Sequence, residues 1–438
     1  DTTTIDDVIV TAQRRAESIQ TIPIAVSALS EETLQSTGVV GVTDLRTQVP
    51  NLAFSRTTVN GFNFAIRGIG SKLTAVSGDT GVGVHVNNSP LASSRIADAE
   101  FYDMERVEVL RGPQGTLYGR NATGGVFNAL TAKPTDVREG SISGEAGNFD
   151  TLRFKGMFNL PLGEAFAVRA AGYYLDRGGF TDNVTTGNDV DDRSLWSTRL
   201  TAAFKPNERF DSYLLWEHFE EADHRLRGSK LLCTPDPGRT TVGAVTVNNP
   251  IAQGLMSQGC LPRSLYSDAA FGAPNTLGTT EGPIGLGTGM LPFNANAGVV
   301  QRRSLREIQS PIDPRYEAQN DFVQFLANFD LTDSLQVSLL SAWQTDDFDA
   351  RQRLETFLPS GRFLPTAFSP GGVFNDPQLG AQTSPLGYSR IRRGSEQFST
   401  ELRIQSSFDG PWNYNLGAIY VKYDTSGDLI FEIGRAHV

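Results

Sequence analysis

The side chains able to do chemistry are few and scattered. Four histidines (His85, His218, His224 and His437) stand far apart, too dispersed for a metal cluster. Gly119-Arg120-Asn121-Ala122-Thr123-Gly124 has the glycine spacing of a phosphate loop. Gly125 and Val126, however, occupy the places where such a loop needs Lys and Ser or Thr. No Gly-x-Ser-x-Gly elbow and no His-Glu-x-x-His pair occurs, so hydrolase constellations are missing too. Asp182 and Asn183, with Asn188, Asp189, Asp191 and Asp192, offer oxygen ligands, but their spacing fits no EF-hand and reads as a solvated loop. The expectation is no enzyme, no cofactor, no metal and no nucleic-acid partner. Cys233 and Cys260 share one Pro-, Gly- and Asn-rich stretch and are the only cysteines. They are read as a loop-closing disulfide formed in an oxidising compartment.

The elements that must position these residues come in two styles. The chain has 438 residues, 38 Lys plus Arg against 49 Asp plus Glu, a net charge of −11 and 39% hydrophobic residues. That is too apolar and too weakly charged for a disordered chain, and its 44 glycines keep no collagen period. No run of about 18 apolar residues occurs, which excludes membrane-spanning helices. The length calls for at least two domains. The chain begins at Asp1 without a signal peptide and is read as a mature form or a fragment.

Residues 1–138 read as a small α/β unit. Ser30-Glu31-Glu32 caps a short helix that Gly38 closes, and Thr43-Asp44 opens a second that Pro50 stops. Short strands are expected at Ala25–Leu29, Phe64–Arg67, Val82–Val86, Arg106–Leu110 and Val126–Leu130. From Glu139 the pattern becomes long strands of period two. Trp196, Thr198, Leu200, Ala202 and Phe204 alternate with Ser197, Arg199 and Thr201, and Val323, Phe325 and Ala327 with Gln324 and Asn328. Strands of about ten residues or more, when tilted, span a bilayer. Short turns such as Pro161–Glu164 and Lys205–Arg209 alternate with long loops at Gly178–Asp192, Asp223–Gln319 and Asp349–Gly394. Outer-membrane barrels have that asymmetry, and Tyr174, Trp196, Phe204, Trp343 and Trp412 suit an interfacial girdle.

Arg106-Val107-Glu108-Val109-Leu110-Arg111-Gly112-Pro113-Gln114-Gly115-Thr116-Leu117-Tyr118-Gly119, within residues 104–134, resembles the plug domain of TonB-dependent outer-membrane receptors. Pro50-Asn51-Leu52 and Ile66-Arg67-Gly68-Ile69-Gly70 resemble the middle of such plugs, and Asp6-Asp7-Val8-Ile9-Val10-Thr11-Ala12 their energy-coupling box. Asn87-Asn88-Ser89-Pro90 departs from the Asp-Gly pattern usual at that turn. The resemblance implies a mainly β fold. A small α/β plug domain would sit inside an incomplete antiparallel transmembrane β-barrel, with about nine of the 22 strands of such a barrel present. The divisions are 1–12 for TonB box and leader, 13–138 for the plug, and 139–438 for the N-terminal portion of the barrel.

The implied function is energy-coupled import of a bulky, scarce solute across the outer membrane of a Gram-negative bacterium, most plausibly a ferric siderophore. Ile5, Asp6, Asp7, Val8, Ile9, Val10 and Thr11 would add as a strand to the TonB periplasmic domain. Arg67 and Arg111 match plug arginines that latch onto wall carboxylates, with Glu401 as the wall candidate. Solute contacts are expected at Ser71, Asp79, Asn87, Asn88, Ser93 and Ser94. The loop 223–319 holds nine basic and seven acidic residues, and 349–394 six and three. Their net charges of +2 and +3 suit anionic ferric siderophores and lipid phosphates alike. The alternatives are a passive porin-like channel or surface adhesin on a barrel, and an importer of cobalamin or carbohydrate.

Overall fold

Beside lipid, a backbone that is not helical must pair every strand with another, and the alternation after Glu139 produces that pairing. In the computed structural model the described residues are 9–11, 14, 17–57, 61–70, 80–226, 230–279, 281–353, 355–376 and 380–433. Among them, nine antiparallel strands form one curved wall in simple chain order. They are β1 (Glu139–Gly147), β2 (Thr151–Pro161), β3 (Phe166–Arg177), β4 (Arg193–Asn207), β5 (Phe210–Asp223), β6 (Arg315–Thr332), β7 (Leu335–Arg353), β8 (Gly387–Ser406) and β9 (Asn415–Ile433). β1 and β9 each have a partner on one side only, so the wall is not a closed barrel.

Parity assigns the two faces. Phe154, Trp196, Leu200, Phe325 and Phe398 point outward and stay exposed, whereas Arg169, Arg199, Gln324 and Gln344 point inward and are buried. Strands β6 to β8 reach 18 to 20 residues, well beyond the roughly ten that cross a bilayer. The sequence reading places the ends of both longest loops inside these strands. Above the apolar band the outward positions become Asp321, Asp347, Asp349 and Glu396, so alternation of polarity disappears while backbone pairing continues.

The front domain packs against the concave face. Val86, Ile96, Ala99 and Tyr102 share one buried cluster with Tyr173, Leu215, Phe219 and Phe322 of the wall. Its main sheet has the order Ala25–Ser30, Met104–Arg111, Gly125–Thr131, Val82–Val86 and Ser89–Pro90. A second sheet comprises Leu52–Thr57, Gly61–Ile66 and Ile69–Gly70, and Phe64 stacks on Phe127 at 5.2 Å to join the two. Ser30 caps the helix Glu31–Ser36 by accepting from the Thr33 N–H at 3.2 Å. The second expected helix is instead a 3-10 turn, Val42–Thr47. Asp44 there accepts the backbone N–H groups of Val40 and Gly41 at 3.1 Å. Gly125, at φ +151°, is required because a Cβ would lie 2.2 Å from the Leu110 carbonyl oxygen.

At the long-loop end the three largest connections fold into one cap. Gln309 donates to the Thr356 carbonyl at 3.0 Å, and Gly361 to that of Ala295 at 2.7 Å. Asn183 reaches Asp313 at 2.8 Å, tying in the loop 178–192. Cys233 and Cys260 are joined in a disulfide, their Cα atoms 5.0 Å apart.

Candidate functional site

The N-terminal segment is seated on the front domain. Ile9–Val10 pair antiparallel with Glu17–Ser18, and Val10 is fully buried beside Leu110, Tyr118, Ala122 and Val126. The Thr11 N–H donates to Glu108 Oε1 at 2.7 Å, and the Tyr118 hydroxyl to the Thr11 carbonyl at 3.3 Å. Arg14 holds a left-handed backbone, φ +63°, a conformation that costs about 1–2 kcal/mol for a residue with a Cβ. Its side chain offsets that strain with four contacts. Nε donates to the Leu117 carbonyl at 3.1 Å and Nη1 to that of Asn88 at 3.0 Å. The guanidinium lies 4.4 Å above the Tyr118 ring and 3.6 Å from Glu401 of β8. One residue thus joins the segment, the front domain and the wall. Of the expected coupling box, Ile5, Asp6, Asp7 and Val8 lie outside the described residues.

A second contact zone runs along residues 86–103. Arg95, wholly buried, meets Asp346 at 3.0 Å and donates to the Tyr316 hydroxyl at 3.2 Å. Asp98 faces Arg225 at 3.7 Å, and Glu100 faces Arg153 at 2.9 Å and Lys155 at 3.3 Å. Tyr102 donates to Glu217 at 2.8 Å, and that carboxylate also takes a fork from Arg199 at 2.9 and 3.0 Å. Asp103 accepts from Arg169 at 2.9 Å. Between these pairs, wall amides read backbone: Gln324 donates to the Val86 and Asn87 carbonyls, and Gln344 to that of Ser93. A short strip of one domain therefore engages wall strands from β2 to β8, including the Pro90 carbonyl bonded by Gln397. Such low-dielectric pairs specify one docked geometry and penalise removal of either member.

The structure moves the latch. Glu401 meets Arg14, not Arg67 or Arg111. Arg67 is exposed at a left-handed turn, φ +53°, and Arg111 ends a central strand with its Nε buried and unbonded. Neither has an ion pair among the described residues. A motif places an arginine on a backbone, but only the packing decides which one faces the wall.

The expected solute contacts also move. Asn87, Ser93 and Ser94 are buried and Asn88 half-buried within the seam between front domain and wall. Asn87 and Asn88 take φ +46° and +70°, the pair of left-handed conformations a tight hairpin needs and Asn tolerates. Asn87 accepts from Lys133 at 2.8 Å, and Asn88 exchanges bonds with Asn128 at 3.0 and 3.1 Å. These four residues are joinery in this conformation. Ser71 and Asp79 lie outside the described residues. Several of the loop charges are paired with carboxylates. Arg302 pairs with Glu307, Arg303 with Asp268, Arg315 with Glu317, and Arg390 and Arg392 with Asp349. Among the described residues no group of three or more His, Cys, Asp or Glu converges to hold a metal ion.

Sequence reasoning missed Arg14, Arg95, Asp98, Tyr102, Asp103 and Asp346. A signal existed on the wall side, because Arg169, Arg199 and Gln344 sit on the polar parity of their strands. Nothing in the linear pattern pairs them with residues up to 251 positions away.

Comparison with known proteins follows from this geometry. Residues 18–126 match the family model described as the TonB-dependent Receptor Plug Domain. The chain is 34% identical over 149 residues to the iron-regulated outer membrane virulence protein of Vibrio cholerae, covering 32% of this chain and 22% of that protein. It is 30% identical over 154 residues to the pesticin receptor of Yersinia pestis, covering 35% of this chain and 22% of the receptor. In fold it resembles the crystal structure of the siderophore receptor PiuA from Acinetobacter baumannii, with TM-score 0.61 at 14% identity. That match takes in 97% of this chain and 48% of PiuA, so the chain spans about half the length of that receptor.

Proposed function

We propose that this chain, a member of the TonB-dependent receptors of the Gram-negative outer membrane, imports a bulky, scarce solute through its wall by moving the plug. A ferric siderophore is the favoured cargo, supported by the iron regulation of the Vibrio cholerae relative and by the fold shared with the siderophore receptor PiuA. The observation that carries the reading is the placement of Arg14. Immediately beyond the box at residues 5–11, it is bound at once to the plug and to Glu401 of the wall. Force applied to the box would pass through Thr11 to that joint, the point where the segment meets the wall. The box is extended and β-branched, and it would add as a strand to an edge of the TonB periplasmic domain. In the seated state Val10 is buried and Thr11 bonded to Glu108, so strand addition competes with internal docking.

The proposed role is transport rather than catalysis, with outer-membrane lipid against the outward aromatic band. The test is removal of residues 1–12 from the intact gene, followed by uptake of ⁵⁵Fe-loaded siderophores in iron-limited cells. Loss of uptake with normal receptor abundance is expected. Persistent uptake would indicate a passive pore. Energy-dependent uptake of cobalamin or a carbohydrate instead of iron would replace the cargo and keep the transporter.

A further inference from the structure

His85 is the buried ionisable group for which the transport reading has no use. It lies in the strand Val82–Val86, is 1% exposed, and neither ring nitrogen makes a well-formed hydrogen bond. A dry imidazole whose only hydrogen-bonding neighbour is a poorly aligned backbone group of Tyr118 is costly enough to call for a reason. Its ring meets Tyr118 edge-on, with centroids 5.2 Å apart. The same Tyr118 ring carries the Arg14 guanidinium at 4.4 Å, and its hydroxyl holds the Thr11 carbonyl. Tyr118 therefore ties His85 to Thr11 and Arg14 of the N-terminal segment.

The groups around this pocket come from four elements. Arg14 acts on His85 directly from the N-terminal segment, and Tyr118 from the turn Gly115–Tyr118. Behind them stand Glu108 and Arg106 of Met104–Arg111, and Glu401 and Arg403 of β8. On the neighbouring strand the register partner is Asn128, which is uncharged. The two carboxylates are already engaged, Glu108 by Thr11 and Arg106, and Glu401 by Arg14 and Arg403. Neither is bonded to the imidazole, and the charge that acts on it, Arg14, is positive.

We propose that His85 is a proton switch for the N-terminal segment: an imidazolium in this pocket repels the Arg14 guanidinium and unseats Arg14 and Ile9–Thr11. The docked state is the one that excludes the proton. Burial, and after it Arg14, push the imidazole down to about 3 in that state, against about 6.5 for a hydrated histidine. The undocked state binds more protons, so docking is at full strength above about pH 6.5 and weakens as pH falls toward about 3. Free carboxylates titrate near pH 4, below most of this window. The switch concerns docking alone and stands whether or not TonB is the partner.

The experiment places a nitroxide at Ile9→Cys in the intact receptor in outer-membrane vesicles. Cys233 and Cys260 are disulfide-bonded and leave this chain no competing thiol. Between pH 7.5 and 5.5 the ratio of mobile to immobile label is expected to rise about tenfold. His85→Gln, or His85→Phe if the first does not assemble, should flatten that dependence. Tyr118→Phe should raise the mobile fraction at every pH and leave the slope. A wild-type ratio that does not change over this range overturns the switch, and so does a His85 variant that keeps the wild-type slope.

Discussion

Arg95 and Asp346, 251 positions apart in the chain, meet at 3.0 Å with both side chains fully buried. The guanidinium also lies 3.6 Å over the Phe348 ring. Plug and wall are thus joined by a charge pair that neither could afford alone in a dry interior.

Arg95→Ala strands the Asp346 carboxylate and should weaken docking of the plug by about 3–5 kcal/mol. Arg95→Met with Asp346→Leu, which removes both charges and keeps the volume, should restore most of it. The measurement is passive entry of a large antibiotic into cells carrying each variant. Wild-type leak in Arg95→Ala would show that the pair contributes nothing, and equal elevated leak in the single and double variants would show that the stranded carboxylate is not the cause.

Arg14→Ala removes three polar contacts and one cation–π contact from the N-terminal segment. Hydrogen bonds to charged groups contribute about 1.5–3 kcal/mol each at most. A shift of at least tenfold toward the undocked segment is expected by spin labelling at Ile9. Glu401→Gln, which spares the other Arg14 contacts, should give a smaller shift.

Asn88→Val should be poorly tolerated. A β-branched residue at φ +70° costs about 1–2 kcal/mol, and the bond that Asn128 donates to the Asn88 side-chain oxygen is lost as well. Asn88→Gly keeps the turn and the backbone bond to Asn128 and loses only the side-chain bond, so it should fall between wild type and Asn88→Val. Protease sensitivity of the plug in membrane preparations would rank the three.

Reducing the Cys233–Cys260 bond releases a loop of 27 residues, for which chain entropy assigns about 3–4 kcal/mol. Protease resistance of the cap should fall on reduction, or in Cys233→Ser, while the plug–wall seam keeps its resistance. Loss of both together would mean that the cap supports the seam.

Much of this was legible in the linear pattern. Ser30 before two glutamates does cap a helix, and Val82–Val86 and Gly125–Thr131 lie where apolar runs between Gly and Asn placed them. The ends of β6 to β8 were not legible, because pairing continues above the band where polarity alternates. Asn87 and Asn88 show the same limit at one turn. Their type announces a hairpin, but whether it faces solute or a wall glutamine depends on a strand some 237 residues later.

By itself the sequence determined the two architectures, the faces of each strand and the family, since period, turn chemistry and motif spacing are local. Only the tertiary structure decided that Arg14 and not Arg67 or Arg111 meets Glu401, that residues 86–103 form the seam, and that His85 lies under Tyr118. Those choices depend on which surfaces come within a few ångströms after folding. Burial and charge pairing at that range select partners that no spacing along the chain encodes.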